Sequence, residues 1–204
     1  MQPDKDITIY IGVTNNCNTA VIDEISKCCA LLTSKNTDGG KLLLVTESHV
    51  NYPLADYLIN MEESDVLLTR KDHTFNVKLD YKNSLCEVLY ALTASWFLAN
   101  LVGHDYADYI ACFSIGKNSQ LDIIEVGNTD DLRSLLVASN EDKLPTAMTC
   151  YIEAAEKNMT YAWFEEFGNV LQQFVNKETL CVVTMSSKPR QQSKSKIYLT
   201  WFYQ

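Results

Sequence analysis

The sequence predicts an α/β fold in which a mostly parallel sheet is flanked by helices. Strand-like runs and amphipathic helical segments alternate along the chain, an order that is typical of βαβ units. The chain has 204 residues, of which 47% are hydrophobic and 21% are charged, so it can bury one core of ordinary size. We therefore expect a single domain over residues 1–204.

The first half of the chain is predicted to start with a strand, a helix and a second strand. Apolar residues recur at helical spacing from Val21 to Leu32, and KLLLVT is typical of a buried strand. The predicted elements are a strand at 7–11, a helix at 18–34, a turn at 36–40, a strand at 41–46, a short helix at 53–61, the strands DVLLT and FNVKL, and an apolar helix at 84–101 that is buried on more than one side.

The second half continues the alternation. Apolar residues from Met148 to Phe174 are compatible with helical spacing, which favours one long helix with a break at Gly168. The predicted elements are the strands DYIACFSI and LDIIEVG, a short helix at 130–138, a helix at 146–176, the strand LCVVTM, a basic loop at 186–196 and the strand IYLTWFY.

Composition excludes several classes of function. The formal net charge of −9 argues against non-specific coating of nucleic acid, because that attraction is electrostatic. The sequence contains no run of about 18 apolar residues, so it predicts no membrane span. The charged N-terminus does not resemble a signal peptide, and the seven scattered cysteines indicate reduced thiols packed as small hydrophobic groups. These features predict the cytosol or the nucleus.

The segment GVTNNCNT lies between the first strand and the first helix, where a phosphate-binding loop would lie. Such a loop needs G-x-x-x-x-G-K-[ST], so that backbone N–H groups and a Lys hold the phosphates. Gly12 occupies the first position and Thr19 the last, but Cys17 and Asn18 replace the second Gly and the Lys. We predict a vestigial loop that holds no nucleotide cofactor. An ordinary turn with an Asn or Thr helix cap remains the alternative.

Residues 7–48 resemble the start of the ATPase core of RecA-type recombinases, in the eukaryotic strand-exchange branch. The resemblance rests on ITIYIG, GVTNNCNT, the helix at 18–34, DGGK and LLLVTE. It implies a RecA-like core and places Glu47 where that family orients the hydrolytic water. It also places Glu125, in LDIIEVG, at the strand end whose acidic residue holds the metal in that family, and a competing alignment uses DYIACFS for this strand. Because this chain lacks the loop Lys, we predict that Glu47 and Glu125 are vestigial acids or structural acceptors.

The loop 186–196 is similar in position to the loop by which that family touches single-stranded DNA. It carries four cations without an intervening acid, which predicts nucleic-acid contact through Lys188, Arg190, Lys194 and Lys196. A solvated hairpin is the alternative, since Ser, Gln, Lys and Pro favour disorder. The resemblance further assigns the strand with Leu121, Ile123 and Ile124 to subunit contact.

The departures from the family pattern imply a subunit without catalysis. The chain lacks the loop Lys, the N-terminal helical domain and an F-x-x-A linker, as in the Shu-complex subunits and short nematode paralogs that it resembles. The resemblance thus implies a nuclear accessory subunit of homologous recombination, with no catalytic residue and no metal. It would form a heterodimer with another paralog and stabilise or remodel the recombinase filament on single-stranded DNA.

Three alternatives stay open on sequence alone. One is an inactive RecA-fold subunit of an Elongator-like tRNA-modification complex. Another is an α/β enzyme with an unrecognised cleft, in which Glu47 would be required for turnover. The third is a binding module with no relation to DNA, in which neutralising the basic loop would leave DNA affinity unchanged.

Overall fold

A computed structural model describes the backbone in ten segments, at residues 8–13, 19–35, 41–46, 57–62, 65–70, 73–78, 84–103, 106–116, 118–139 and 144–204. It confirms the α/β class, because helices alternate with strands of a mixed sheet. The chain divides into two compact units. Unit 1 comprises Met1–Ala99 with Lys117–Gln120, and unit 2 comprises Asn100–Gly116 with Leu121–Gln204.

Unit 1 combines parallel and antiparallel strand pairs. Its elements are β1 (Thr8–Val13), α1 (Thr19–Lys35), β2 (Lys41–Thr46), β3 (Tyr57–Glu62), β4 (Asp65–Arg70), β5 (His73–Lys78) and α2 (Leu85–Phe97). The strand order is β2-β1-β3-β4-β5. β1 is parallel to both β2 and β3, whereas β4 is antiparallel to both of its neighbours.

The two helices of unit 1 follow directly from their sequences. In α1 the residues Val21, Ile25, Cys28 and Leu32 recur every three or four positions, and all are buried. Ser84 caps α2, where its side chain accepts from the Glu87 backbone N–H and the Glu87 side chain accepts from that of Ser84. Nearly every residue of α2 from Leu85 to Ser95 is buried or half-buried, which confirms the predicted burial on more than one side.

The predicted helix at 53–61 is wrong over its described part, because Tyr57–Glu62 forms β3. This strand pairs in parallel with β1 from Ile11↔Tyr57 and antiparallel with β4 from Leu58↔Thr69. Six residues of mixed pattern carry little helical preference of their own, so the two neighbouring strands decide the conformation.

Unit 2 contains a second set of strands and three helices. Its elements are β6 (Asn100–Val102), α3 (Tyr106–Ile115), β7 (Asn118–Val126, whose first residues belong to unit 1), α4 (Thr129–Ser139), β8 (Ala147–Glu153), α5 (Tyr161–Leu171), β9 (Leu180–Ser186) and β10 (Ser195–Tyr203). The strand order is β7-β10-β8-β9-β6. β8 is parallel to β9 and antiparallel to β10. β6 is antiparallel to β9.

The segment DYIACFSI is a helix and not the predicted strand. It forms most of α3, in which Tyr109, Cys112 and Phe113 are buried at helical spacing. A short and nearly continuous apolar run fits a buried strand and a helix equally well, so periodicity could not separate the two.

The predicted helix at 146–176 is also wrong in its first part. Ala147–Glu153 forms β8, a strand with a neighbour on each side, and α5 begins only at Tyr161. A strand buried on both faces shows no alternation, so its apolar residues matched helical spacing by coincidence. α5 continues through Gly168 without the predicted break.

The core of unit 2 lies between its strands and the helices α4 and α5. Phe167 is fully buried and stacks on Trp163, with the ring centroids 5.3 Å apart. Met148, Ile152 and Leu199 join the same cluster from β8 and β10. Each large side chain buried here contributes roughly 1.5–3 kcal/mol. No helix within the described residues has the length and apolarity that a membrane crossing requires.

Two glycines of unit 2 provide a matched test of this packing. A Cβ built on Gly116 would lie 2.9 Å from Phe202 Cβ and 2.9 Å from the Tyr203 carbonyl oxygen, whereas one on Gly168 meets nothing within 4 Å. We expect Gly116→Ala to lower the free energy of unfolding by about 2 kcal/mol, because backbone must move. Gly168→Ala should raise it by about 0.5–1 kcal/mol, because alanine favours the helix. Urea denaturation of both variants measures this, and equal effects would contradict the described contacts.

Candidate functional site

The strand–turn–helix segment around Gly12 lies in the interior of the sheet of unit 1. β1 is hydrogen-bonded to β2 on one side and to β3 on the other, and all three strands run parallel. Gly12 is buried and pairs with Val45 and Leu58. β1 ends at Val13 and α1 begins at Thr19, so the predicted strand and helix are confirmed on both sides of the turn.

This position is a topological switch point. The chain passes from β1 through α1 to β2 on one side, and β3 then pairs with the opposite side of β1. In open α/β sheets, ligands bind in the crevice at the carboxyl ends of such strands. The carboxyl ends of β1 and β3 are therefore the candidate site of unit 1, next to the N-terminus of α1.

The residues predicted to be remnants of a phosphate-binding site lie only partly within the described segments. Gly12 lies in β1, and Thr19 is the first residue of α1. Cys17 and Asn18 lie outside the described residues, as does Glu47, which follows the last residue of β2. By sequence, the turn from 13 to 18 contains neither a glycine nor a cation. A tight phosphate cradle depends on those groups, because glycine lets backbone N–H groups approach the phosphates.

Glu125 is held by an ion pair in unit 2. It lies near the end of β7, and its Oε1 is 2.6 Å from Nη2 of Arg190. The hydrogen bond from Arg190 lowers the pKa of Glu125 below its ordinary value, and the charges of Lys194 and Lys196 act in the same direction. The Glu125 carboxylate therefore has an internal cation as its partner. That Glu125 is a vestigial acid stays a prediction.

The basic loop 186–196 has defined contacts within unit 2. The Arg190 backbone N–H donates to the Ala154 carbonyl at 2.7 Å, and its guanidinium also donates to the Lys194 carbonyl at 3.1 Å. Lys196 Nζ lies 5.4 Å from the centroid of the Tyr198 ring. Lys188 and Lys194 are exposed. Nucleic-acid contact by the four cations stays a prediction, and Arg190 is already engaged in an internal pair.

The predicted interface strand is half-buried. Leu121, Ile123 and Ile124 lie on β7, and Ile124 packs against the core of unit 2. Between them, Asp122 accepts a hydrogen bond of 2.8 Å from the Trp201 indole nitrogen. Subunit contact through these residues stays a prediction. Within the described segments, no group of three or more His, Cys, Asp or Glu side chains could hold a metal ion.

The structure also brings together residues that the sequence analysis did not connect. Cys28 of α1 lies one helical turn after Glu24, whose carboxylate accepts a hydrogen bond from the Cys86 backbone N–H of α2, so the packing of these two helices brings the two cysteines together in unit 1. No sequence signal could have paired them, because they lie on separate helices and form no C-x-x-C motif.

The Glu125–Arg190 pair provides a test of the electrostatics in unit 2. Because its folded pKa is lowered, the stabilisation by Glu125 is complete above its ordinary pKa of 4.5 and is lost as pH falls through the lowered value. Glu125 is 47% exposed, so solvent weakens the pair. Glu125→Gln should therefore lower the free energy of unfolding by about 0.5 kcal/mol at about pH 7.

Urea denaturation at about pH 7 and about pH 3 measures this difference. The matched control is Glu165→Gln on α5, an exposed glutamate for which we expect no comparable loss. A loss of equal size at both pH values would show that packing, and not charge, is responsible.

Comparison with known proteins shows similarity in structure alone. No protein-family model and no curated protein matches the sequence. An empty FtsZ dimer of M. jannaschii matches with a TM-score of 0.52 and 12% identity, over 96% of this chain and 54% of that chain. A mutant of the same FtsZ matches with a TM-score of 0.52 and 12% identity, over 96% and 56%. A TubZ-Bt four-stranded filament matches with a TM-score of 0.45 and 8% identity, over 96% and 60%.

These similarities correct the RecA-like prediction. FtsZ has a different fold from RecA-type recombinases, and this chain spans about half of the FtsZ length (54%). The predicted recombination role, the paralog partner and the contact with a recombinase filament on single-stranded DNA are accordingly wrong. The structural match shows that the chain has an FtsZ-like α/β fold. Because the sequence identity is only 12%, the match does not show the activity.

Proposed function

We propose that this chain is a non-enzymatic protein of FtsZ-like fold that acts by associating with a second copy of itself. The observation that carries the proposal is the turn after β1. The fold keeps an interior strand that leads to a helix at the switch point, but the turn between Gly12 and Thr19 contains no cation and no further glycine. Such a turn gives phosphate groups little to bind, so association and not turnover is the proposed role.

Exposed apolar side chains in unit 2 support association. Val137 is 66% exposed and Leu135 is 41% exposed, and both lie on α4. Leu101 and Leu144 are each 58% exposed. Leu135 and Val137 lie two positions apart on α4, so their side chains point to different sides of the helix and each is a separate apolar group at the surface. The FtsZ that shares this fold is described as a dimer.

A second candidate function is binding of a ligand without turnover. It is favoured by the place of β1 between two parallel strands, because ligands of open α/β sheets bind at the carboxyl ends of such strands. The N-terminus of α1 has no acidic residue in its first turn, so it would not repel an anion. The nuclear location stays a prediction.

Absence of turnover is directly measurable. We expect the purified chain to release no phosphate from ATP or GTP above the rate in buffer, because the turn lacks a cation to neutralise the phosphates. Glu47→Gln serves as the paired variant and should behave like the unchanged protein. Phosphate release that disappears in Glu47→Gln would overturn the proposal and support the unrecognised α/β enzyme.

Self-association is tested on α4. Sedimentation velocity over a range of concentrations should show a dimer or a larger assembly, and Val137→Asp should weaken it about tenfold, because a charge replaces an exposed apolar contact. Ser134→Asp, at another exposed position of α4, is the matched control and should weaken it less. A protein that stays monomeric at all concentrations would contradict the proposal.

A further inference from the structure

Two contacts between α1 and α2 in unit 1 bring a pair of cysteines together. The Cys86 backbone N–H donates to Oε2 of Glu24 at 3.3 Å. Farther along both helices, Nζ of Lys35 donates to the Tyr90 hydroxyl at 2.9 Å. Cys28 lies one helical turn after Glu24 and therefore on the same side of α1, between these contacts. The geometry points Cys28 toward the first turn of α2.

The two thiols of the pair differ in access to solvent. Cys28 is fully buried, whereas Cys86 is only half-buried, and both are free. Cys86 is the second residue of α2 after the N-cap Ser84, where the helix dipole favours negative charge. Cys86 is therefore the more accessible thiol of the two.

The surrounding charges agree with this division of roles. The hydrogen bond from Cys28 is the main reason why the pKa of Cys86 is lowered, and Lys27 acts in the same direction. Burial and the carboxylates of Glu24 and Glu87 oppose that shift. The same hydrogen bond and burial raise the pKa of Cys28. The reactive thiolate therefore forms on Cys86, and the proton stays on Cys28.

We propose that Cys86 and Cys28 form a thiol-modification site in which peroxide oxidises Cys86 and Cys28 then closes an intramolecular disulfide. In the first step the Cys86 thiolate attacks hydrogen peroxide. A sulfur–oxygen bond forms, the oxygen–oxygen bond breaks, and hydroxide leaves and takes up a proton to become water. In the second step the Cys28 sulfur attacks the sulfenic acid on Cys86. The disulfide bond forms, and the hydroxyl group leaves as water with the Cys28 proton.

Atoms and electrons balance over the two steps. The two thiols lose two electrons and two protons, and one peroxide is reduced to two waters. A small dithiol reverses the reaction by exchange. The product links α1 to α2 covalently within unit 1, and it depends neither on self-association nor on nucleotide. The inference therefore goes beyond the proposed function and can stand or fall separately.

Peptide mapping of the whole chain tests the pair without any substitution. The reduced protein is treated with hydrogen peroxide, its remaining thiols are blocked with iodoacetamide under denaturing conditions, and the unreduced digest is analysed by mass spectrometry. We expect a linked peptide that joins Cys28 to Cys86 and a loss of two alkylated thiols per chain, both reversed by dithiothreitol. Oxidation of other cysteines with Cys28 and Cys86 both still alkylated would overturn the proposal.

Variants separate the two roles. In Cys28→Ala we expect dimedone to label the sulfenic acid on Cys86 several-fold more than in the unchanged protein, because no thiol resolves it. The matched control is Cys29→Ala, the neighbouring half-buried thiol, which should leave the linked peptide unchanged. Equal dimedone labelling of Cys86 in the unchanged protein and in Cys28→Ala would overturn the resolving role. Circular dichroism checks that each variant is folded, and the mapping of the unchanged chain decides the proposal if Cys28→Ala is not.

Discussion

Backbone hydrogen bonding on both sides of β1 is the constraint on which the candidate site depends. Gly12 pairs with Val45 of β2 and with Leu58 of β3, so the strand is held in the interior of the sheet of unit 1. These bonds belong to the main chain and need no particular side chain. These pairings therefore place the end of β1 at the switch point whatever residues follow Val13 in the sequence. An FtsZ-like fold can keep the place of a ligand crevice while the turn lacks the groups that hold phosphate.

In unit 2, the folded chain changes what the charges of the basic loop 186–196 can do. The basic loop concentrates cations on an acidic chain of net charge −9, which looks like a binding surface in the sequence. In the folded chain its Arg190 is only 14% exposed and is paired with Glu125. Part of the positive charge is thus neutralised inside the protein and contributes to the attachment of the loop. Lys188 and Lys194 remain exposed. Because Arg190 is paired, the loop presents less free positive charge to a nucleic acid than the sequence suggests.

The helix α2 illustrates how one element can carry both packing and chemistry. Its buried faces include Leu89 and Leu92, and its N-cap Ser84 begins the helix where Cys86 meets α1. The capping box fixes the position of the first turn, and Glu24 accepts from a backbone N–H there. Because packing and capping place the Cys86 sulfur, its partner Cys28 needs no dedicated motif. The proposed association through α4 concerns a different unit and different side chains.

Segments with a long and clear local pattern were predicted correctly from the amino-acid order alone. The apolar spacing of Val21, Ile25 and Cys28 predicted α1, and the predicted strands KLLLVT, DVLLT and IYLTWFY are all observed. The first turn was also placed correctly, since strand and helix occur on its two sides. The alternation of strand-like and helical segments predicted the α/β class, and composition predicted a core of ordinary size.

Contacts between distant segments, and not the segments themselves, set which short apolar runs are strands. DYIACFSI became α3 and the residues from Ala147 became β8, because hydrogen bonds from neighbouring strands select the conformation where periodicity fits both. Strand order followed from the same contacts and replaced the RecA-like expectation. The Glu125–Arg190 and Cys28–Cys86 pairs join residues far apart in sequence. No local pattern encodes such a pair, because it arises only when separate elements pack together.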